Sequence, residues 1–181
     1  MATNSLTDEQ LVEAVRSSNH QLYGEIIKRY QLKLSHYLKK FISDADELQD
    51  VLQNVFIKAY KNLYSFNVNK KFSPWIYRIT HNEAINYIRK NSKYAISLDE
   101  SDFDVADEKM ELGRELENTL TNKKLADSIR QLKEKYREPL ILFFFEEKSY
   151  EEIGDILKLP TSTVGTYISR GKKQLKELLE K

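Results

Sequence analysis

The sequence predicts an all-α protein of two small helical domains joined by an acidic linker, the second domain carrying a helix-turn-helix. Three observations predict it. Apolar residues recur at i, i+3, i+4 and i+7 over most of the chain. Five glycines and three prolines in 181 residues are about a third of the share these two take in average proteins, roughly 12% together, too little for a hairpin-rich fold. Residues 97–118 change composition abruptly, with nine acids against Lys109 and Arg114, a net charge of −7 and few large apolar residues to order them. Domains average about 150 residues, so this length fits one domain or two small ones and excludes a large multidomain enzyme.

Thr7 and Gln10 have the spacing of a capping box and open the first helix, with Leu11, Ala14 and Val15 inward. A second helix is expected over residues 21–41, with Leu22, Ile26, Tyr30, Leu34, Tyr37, Leu38 and Phe41 inward. The acidic Ser43-Asp44-Ala45-Asp46 breaks and recaps the chain. The third helix has the cleanest period: Leu48, Val51, Leu52, Val55, Phe56 and Ala59 turn inward and leave Gln49, Asp50, Gln53, Asn54 and Lys58 outward. Residues 67–74 lose the period and read as a loop, with Pro74 suited to the first turn of the next helix. On that helix, residues 75–90, the apolar side is Ile76, Ile79, Thr80, Ala84, Tyr87 and Ile88. Arg78, Asn82, Asn86 and Arg89 form a polar strip without acids on the other side.

The linker is expected to turn helical from about residue 108. Beyond it, Leu125, Ile129 and Leu132 mark one helix, and residues 139–145 start or continue another as core. Ser149 and Glu152 form a second capping box that opens a helix over residues 150–157. Leu159-Pro160-Thr161 interrupts it, and the last helix carries Val164, Ile168, Gly171, Leu175 and Leu178 on one stripe. A short helix, a tight turn and a longer helix with a buried stripe is a helix-turn-helix, a winged-helix-like DNA-binding module, which places its second helix in a DNA major groove.

The net charge of +1 decides nothing about nucleic acid, so the distribution along the chain must. Residues 161–181 sum to +3, and the exposed side of the last helix offers Thr163, Thr166, Tyr167, Arg170, Lys172 and Lys173. Such side chains bond phosphates and base edges, with Arg170 best suited to guanine; a solvated face whose lysines complement the helix dipole has the same composition. Residues 66–94 carry net +5, interleaved with Phe66, Phe72, Trp75, Tyr77, Tyr87 and Tyr94. Cations beside stacking aromatics suit single-stranded nucleic acid, and an aromatic core under a solvated basic face reads identically.

Other chemistries lack their residues. Zero cysteines remove disulfides, thiolate nucleophiles and sulfur-ligated metals, and fit a reducing cytoplasm. His20, His36 and His81 are scattered with no ligand spacing, and no nucleophile elbow or phosphate loop is present, so neither an enzyme nor a metal or cofactor site is expected. Neither a signal peptide nor a membrane span is expected: the N-terminus is neither basic nor apolar, and the longest apolar run, residues 140–145, falls far short of the roughly 18 residues that a span needs.

Two separate stretches resemble one family. Glu47-Leu48-Gln49-Asp50-Val51-Leu52-Gln53-Asn54-Val55-Phe56-Ile57-Lys58-Ala59-Tyr60, followed by Phe72-Ser73-Pro74-Trp75-Ile76-Tyr77-Arg78-Ile79-Thr80-His81-Asn82, resembles the first conserved domain of the sigma-70 family of bacterial RNA polymerase initiation factors. Ser149-Tyr150-Glu151-Glu152-Ile153-Gly154, through Thr163-Val164 to Ser169-Arg170-Gly171-Lys172, resembles its promoter-binding helix-turn-helix domain. Order, linker and length are similar to the two-domain extracytoplasmic function (ECF) subgroup.

The resemblance implies region 2 over residues 1–94, a linker over 95–121 and region 4 over 122–181. It implies that Gln49, Asp50, Gln53, Asn54 and Lys58 dock on the polymerase core, on the β′ coiled coil, with the β subunit a further partner. An acid usually stands where Asn54 is, which weakens the charge of that contact. Asn67, Lys70, Lys71, Phe72, Trp75, Arg78, Asn82, Asn86 and Arg89 would handle the −10 element, where a base flips into the loop. Unstacking costs a few kcal/mol and stacking on protein returns about 1–3 kcal/mol per base, so no ATP is required.

Ser162, Thr163, Thr166, Tyr167, Arg170, Lys172 and Lys173 would read the −35 element, with Gly165 where the family commonly has Arg or Lys. The resemblance also implies promoter DNA as partner, an anti-sigma protein in many members, and a linker that either mimics nucleic acid near the transcript path or is a plain spacer. A stand-alone helix-turn-helix regulator would leave residues 50–56 and 70–89 without a role. A helical adaptor would show no salt-dependent DNA binding.

Overall fold

The computed structural model describes residues 6–17, 19–91 and 119–180, and the chain divides into two compact units, Met1–Ala95 and Ile96–Lys181. The acidic stretch 97–118, with its expected helical start at 108, lies outside the described residues, as do Lys93 and Tyr94. All regular structure among the described residues is helical. None of these helices is long and apolar enough to cross a membrane.

The N-terminal unit holds α1 (Asp8–Ser17), α2 (Tyr23–Lys39), α3 (Ala45–Lys61) and α4 (Phe72–Lys90), with short 3₁₀ turns before α2 and after α3. The capping box forms at α1: Thr7 N–H donates to Gln10 Oε1 at 3.0 Å and Gln10 N–H to Thr7 Oγ1 at 3.2 Å. Asp44 caps α3, accepting from the N–H groups of Asp46 and Glu47 at 3.0 and 2.9 Å, where a carboxylate also suits the helix dipole. On α3 the inward residues are buried save Val51, which is half-buried. In α1, Val12 is buried beside Leu11 and Val15, while Ala14 is half-exposed. Asp8, in the first turn of α1, binds α2 twice: Tyr30 donates its hydroxyl at 2.5 Å and Arg29 its guanidinium at 2.8 Å.

The burial of α4 is wider than its wheel predicts. Phe72, Tyr77 and His81 are buried along with Ile76, Thr80 and Ala84, because α4 packs against α3, α2 and α1 and is covered from more than one side. The polar atoms this brings inside are partnered, as burial without partners is costly. The hydroxyl of Tyr37 and Nδ1 of His81 share a hydrogen bond at 3.0 Å, and Thr80 donates to the carbonyl of Ile76 at 2.9 Å. Tyr37 also meets Phe41 and Tyr77 edge-on, at 5.1 and 5.6 Å.

The C-terminal unit holds α5 (Thr119–Gln131), α6 (Glu134–Phe144), α7 (Tyr150–Leu157) and α8 (Thr161–Leu179), with α8 packed against the other three. Residues 139–144 continue α6, and Pro139 lies buried inside it. Arg137 donates to the carbonyls of Arg130 and Leu132 at 3.3 and 3.4 Å, at the C-terminal end of α5. No strand, and so no wing, accompanies the helix-turn-helix among the described residues; α7 packs against α6 and α8, and α8 against α5 and α6 as well.

The turn itself is tight. The second capping box closes at 3.0 and 3.2 Å between Ser149 and Glu152, and α7 ends on Lys158 in the left-handed region at φ 55°. Leu159 N–H then donates back to the carbonyl of Gly154 at 3.0 Å. A Cβ on Gly154 would lie 2.7 Å from the carbonyl oxygen of Leu159, whereas a Cβ on Gly165 would meet only the Tyr150 ring at 3.5 Å, an ordinary contact. Gly154→Ala should therefore destabilise this unit by about 1–3 kcal/mol through overpacking. Gly165→Ala should stabilise it by about 0.5–1 kcal/mol, since glycine is unfavourable inside a helix. Hydrogen-exchange protection of α7 and α8 peptides in the full chain should move in opposite directions for the two variants.

Candidate nucleic-acid interface

In the N-terminal unit, Gln49, Asp50, Gln53, Asn54 and Lys58 are all exposed along α3. Lys58 reaches α4, its ammonium 2.6 Å from Glu83 Oε1. An open cleft of about 770 Å³ runs between the helices, lined by Asp50, Asn54 and Lys58 from α3 and by Glu83, Asn86 and Arg89 from α4. The structure thus brings residues from two separately predicted groups to one groove. Ile57, Tyr60 and Tyr64 are exposed nearby in sequence, Tyr64 to 69%, and the sequence reading missed them. The signal was available for Ile57, an apolar residue four positions after outward Gln53.

The loop between α3 and α4 is internally braced. Asn67 Oδ1 accepts from Asn69 N–H at 3.0 Å and its carbonyl from Lys70 N–H at 2.9 Å, an Asx-type turn that leaves Asn67, Asn69, Lys70 and Lys71 exposed. Phe72 requires a correction. Expected as a −10 contact, it is 0% exposed, its ring 5.5 Å from Tyr30 and 5.4 Å from both Phe66 and Trp75. The first turn of α4 points its leading side chain into the core, so Phe72 supports the loop and has no surface to offer DNA. Trp75 is half-buried at the rim of this trio.

From Trp75 the polar residues of α4 follow at i+3, i+7, i+11 and i+14: Arg78 half-buried, then Asn82, Asn86 and Arg89 exposed. At 1.5 Å per residue this stripe is about 20 Å long. The mixed basic and aromatic composition divides in space. Tyr77 is core, Tyr87 is half-buried and hydrogen-bonded to Glu47, and Trp75 alone of the described aromatics on α4 heads the polar stripe.

In the C-terminal unit, Ser162, Thr166, Arg170 and Lys173 are exposed on α8, with Thr163 and Tyr167 half-buried. Thr166 donates to the carbonyl of Ser162 at 2.9 Å, and Tyr167 packs edge-on against Tyr136 of α6 at 5.7 Å. Lys172 requires the second correction. Nine positions after Thr163, it stands about 180° away around the helix, and its ammonium lies 4.9 and 5.0 Å from the ring centres of Phe143 and Phe144. The pull of two aromatic faces holds this cation on α6, away from the face that carries Arg170.

Tyr136, Lys135 and Tyr150 are further residues the sequence did not single out. Burial raises the Tyr136 pKa, but the neighbouring Arg170 and Lys135 cations favour the phenolate more strongly and bring it below the ordinary phenol value. Tyr150 lies against Gly165 and Phe143, filling the space beside the glycine. Among the described residues no three His, Cys, Asp or Glu side chains gather as a metal site.

The sigma-70 region 2 family model matches residues 26–94 and the sigma-70 region 4 model residues 122–175. The ECF RNA polymerase sigma factor SigW of Bacillus subtilis (strain 168) is 33% identical, covering 93% of this chain and 94% of that protein. The chain belongs to the sigma-70 family, in its ECF subfamily. As such it is a promoter-specific transcription initiation factor for RNA polymerase. The RNA polymerase sigma-H factor of Pseudomonas aeruginosa is 32% identical, over 96% of this ECF factor and 94% of that protein.

Among solved structures, CnrH in complex with the cytosolic domain of CnrY shares the fold, with a TM-score of 0.72 at 22% identity over 96% of this chain and 97% of that one. The sigma factor RpoE from Bartonella quintana, solved with the anti-sigma factor NepR, superposes with a TM-score of 0.65 at 20% identity over 87% of this chain and 96% of that one. In this sigma factor, α1 precedes the residues that the region 2 model matches.

The Arg170–Tyr136 pair gives a titration with a defined sign. Because Arg170 stabilises the phenolate, Arg170→Ala should move Tyr136 ionisation to higher pH. Tyrosine-labelled NMR over an alkaline titration checks this, and an unmoved resonance would show that the contact is absent in solution.

Proposed function

We propose that residues 1–94 bind the polymerase core and melt and read the −10 element, that residues 122–181 read the −35 element as duplex, and that residues 95–121 link them. The observation that carries this reading is the α4 stripe: Trp75 at the rim of an aromatic cluster, then Arg78, Asn82, Asn86 and Arg89 in one line beside a braced basic loop. Stacking surface followed by donors spaced along about 20 Å suits an unpaired strand. Asn67, Lys70 and Lys71 flank it from the loop, with Phe72 as their buried support.

The exposed face of α3, Gln49, Asp50, Gln53, Asn54 and Lys58, docks on the β′ subunit, and region 4 meets β. The −35 contacts are Ser162, Thr163, Thr166, Tyr167, Arg170 and Lys173, with Lys172 kept on its aromatic pair. Region 4 binds weakly alone, and tethering through the linker and polymerase supplies an effective concentration of about millimolar. The factor works in the cytoplasm as a binding protein with no catalytic step or cofactor of its own. Two neighbours of the same fold were solved with an anti-sigma factor or a cytosolic partner domain, which supports a masking protein for this factor too.

The decisive experiment is transcription in vitro from fragmented genomic DNA of the source organism with core polymerase, with and without the protein. Starts that depend on it and share two spaced upstream elements are expected. No dependent starts and no binding to core would favour a stand-alone regulator. Replacing Asp50 and Gln53 together by Ala should weaken co-elution with core at least fivefold, and unchanged co-elution would place the contact on another face.

Arg170→Ala should lose about 1–3 kcal/mol of −35 discrimination with core binding intact. Lys172→Ala should leave the salt dependence of promoter binding nearly unchanged, whereas Lys173→Ala should lower its log–log slope by about 1. Equal slopes for the two lysine variants would contradict the placement of Lys172.

A further inference from the structure

Two polar side chains of α1 grip the two ends of the loop between α3 and α4. Arg16 donates through Nε to the carbonyl of Leu63 at 3.0 Å and through Nη2 to the carbonyls of both Leu63 and Phe66. Its guanidinium also lies 6.0 Å from the centre of the Phe66 ring. In return, Tyr64 donates its hydroxyl to the carbonyl of Arg16 at 3.0 Å. A planar, fork-shaped donor that spans two carbonyls fixes both the position and the direction of the chain where the loop begins.

At the far end, Glu9 Oε1 accepts from the N–H of Phe72 at 2.9 Å. Phe72 is the first residue of α4, and Lys71 before it supplies no side-chain cap. A carboxylate from another helix therefore does the capping and sets a negative charge at the positive end of α4. Inside the grip, Phe66 and Phe72 meet at 5.4 Å and draw the loop ends together. Residues 67–71 project from this neck, all exposed except half-buried Val68.

These contacts converge on the ends of one loop. A loop that captures a base needs its geometry before the base arrives, because ordering it afterwards draws on the binding free energy. We propose that Glu9 and Arg16 are positioning residues that hold residues 67–71 ready to capture an unpaired base, so that base preference in the −10 element depends on α1. The inference rests on the reading of that loop as a −10 contact. Neither residue touches DNA in this arrangement; both act through the backbone they hold.

The test uses the full chain with core polymerase and a promoter set differing by one base at each −10 position. Wild type should discriminate among bases. Arg16→Ala and Glu9→Ala should reduce the ratio of best to worst base at least fivefold with core co-elution unchanged. Glu9→Gln, which keeps the acceptor, should recover most of the ratio, while Arg16→Lys, which cannot span two carbonyls, should remain low. Hydrogen exchange in free Arg16→Lys should rise at least tenfold for residues 63–72 and stay as in wild type for α2.

Undiminished discrimination in the alanine variants, or a loss equal for every base that tracks reduced core binding, would overturn the proposal. Unchanged exchange at residues 63–72 in Arg16→Lys would do the same, even if the alanine variants fail to fold. If wild type itself does not discriminate, the reading of the loop fails first, and the wild-type arm separates that outcome from failure of the grip.

Discussion

Phe72, completely buried in the first turn of α4, orders much of the N-terminal unit around itself. A buried phenylalanine contributes about 1.5–3 kcal/mol, and edge-on aromatic contacts add about 0.5–1.5 kcal/mol each. Its neighbours Tyr30, Phe66 and Trp75 come from α2, the loop and α4. Rotation of α4 is thereby restricted, and the direction of its polar stripe is a consequence. With Phe72 pointing in, Trp75 falls at the rim and the line from Arg78 to Arg89 faces outward. A fully buried side chain thus decides where the polar stripe points.

The C-terminal unit reaches the same end through close approach. A Cβ at Gly171 would lie 2.8 Å from Leu140 Cδ1, so the glycine lets α8 settle against α6. That proximity puts Tyr136 beside Arg170 and Tyr167, and Phe143 and Phe144 under Lys172. Two basic residues two positions apart are assigned opposite surroundings by one packing contact. Gly154 acts likewise at the turn, where backbone meets backbone and no side chain fits.

Charge works locally in this protein. The whole chain carries only +1, yet residues 66–94 carry +5 and residues 97–118 carry −7. At physiological salt the screening length is about 8 Å, so a phosphate near the α4 stripe responds chiefly to the stripe. A near-neutral total therefore coexists with surfaces suited to a polyanion.

Short-range pattern was enough to establish the helical class, the capping boxes at Thr7 and Ser149, the outward face of α3 and the helix-turn-helix, because each is written in neighbours within about one or two helical turns. Two motifs in order sufficed to indicate the family. The tertiary structure alone decided that Phe72, Tyr77 and His81 are core, since burial of α4 from several sides leaves no clean period to read. It alone decided that Lys172 sits on Phe143 and Phe144, and that Arg16 and Glu9 hold a loop 47 to 63 positions further along the chain. Periodicity records which side of a helix avoids water. It does not record which helix arrives there, and polar contacts between distant segments depend on that arrival.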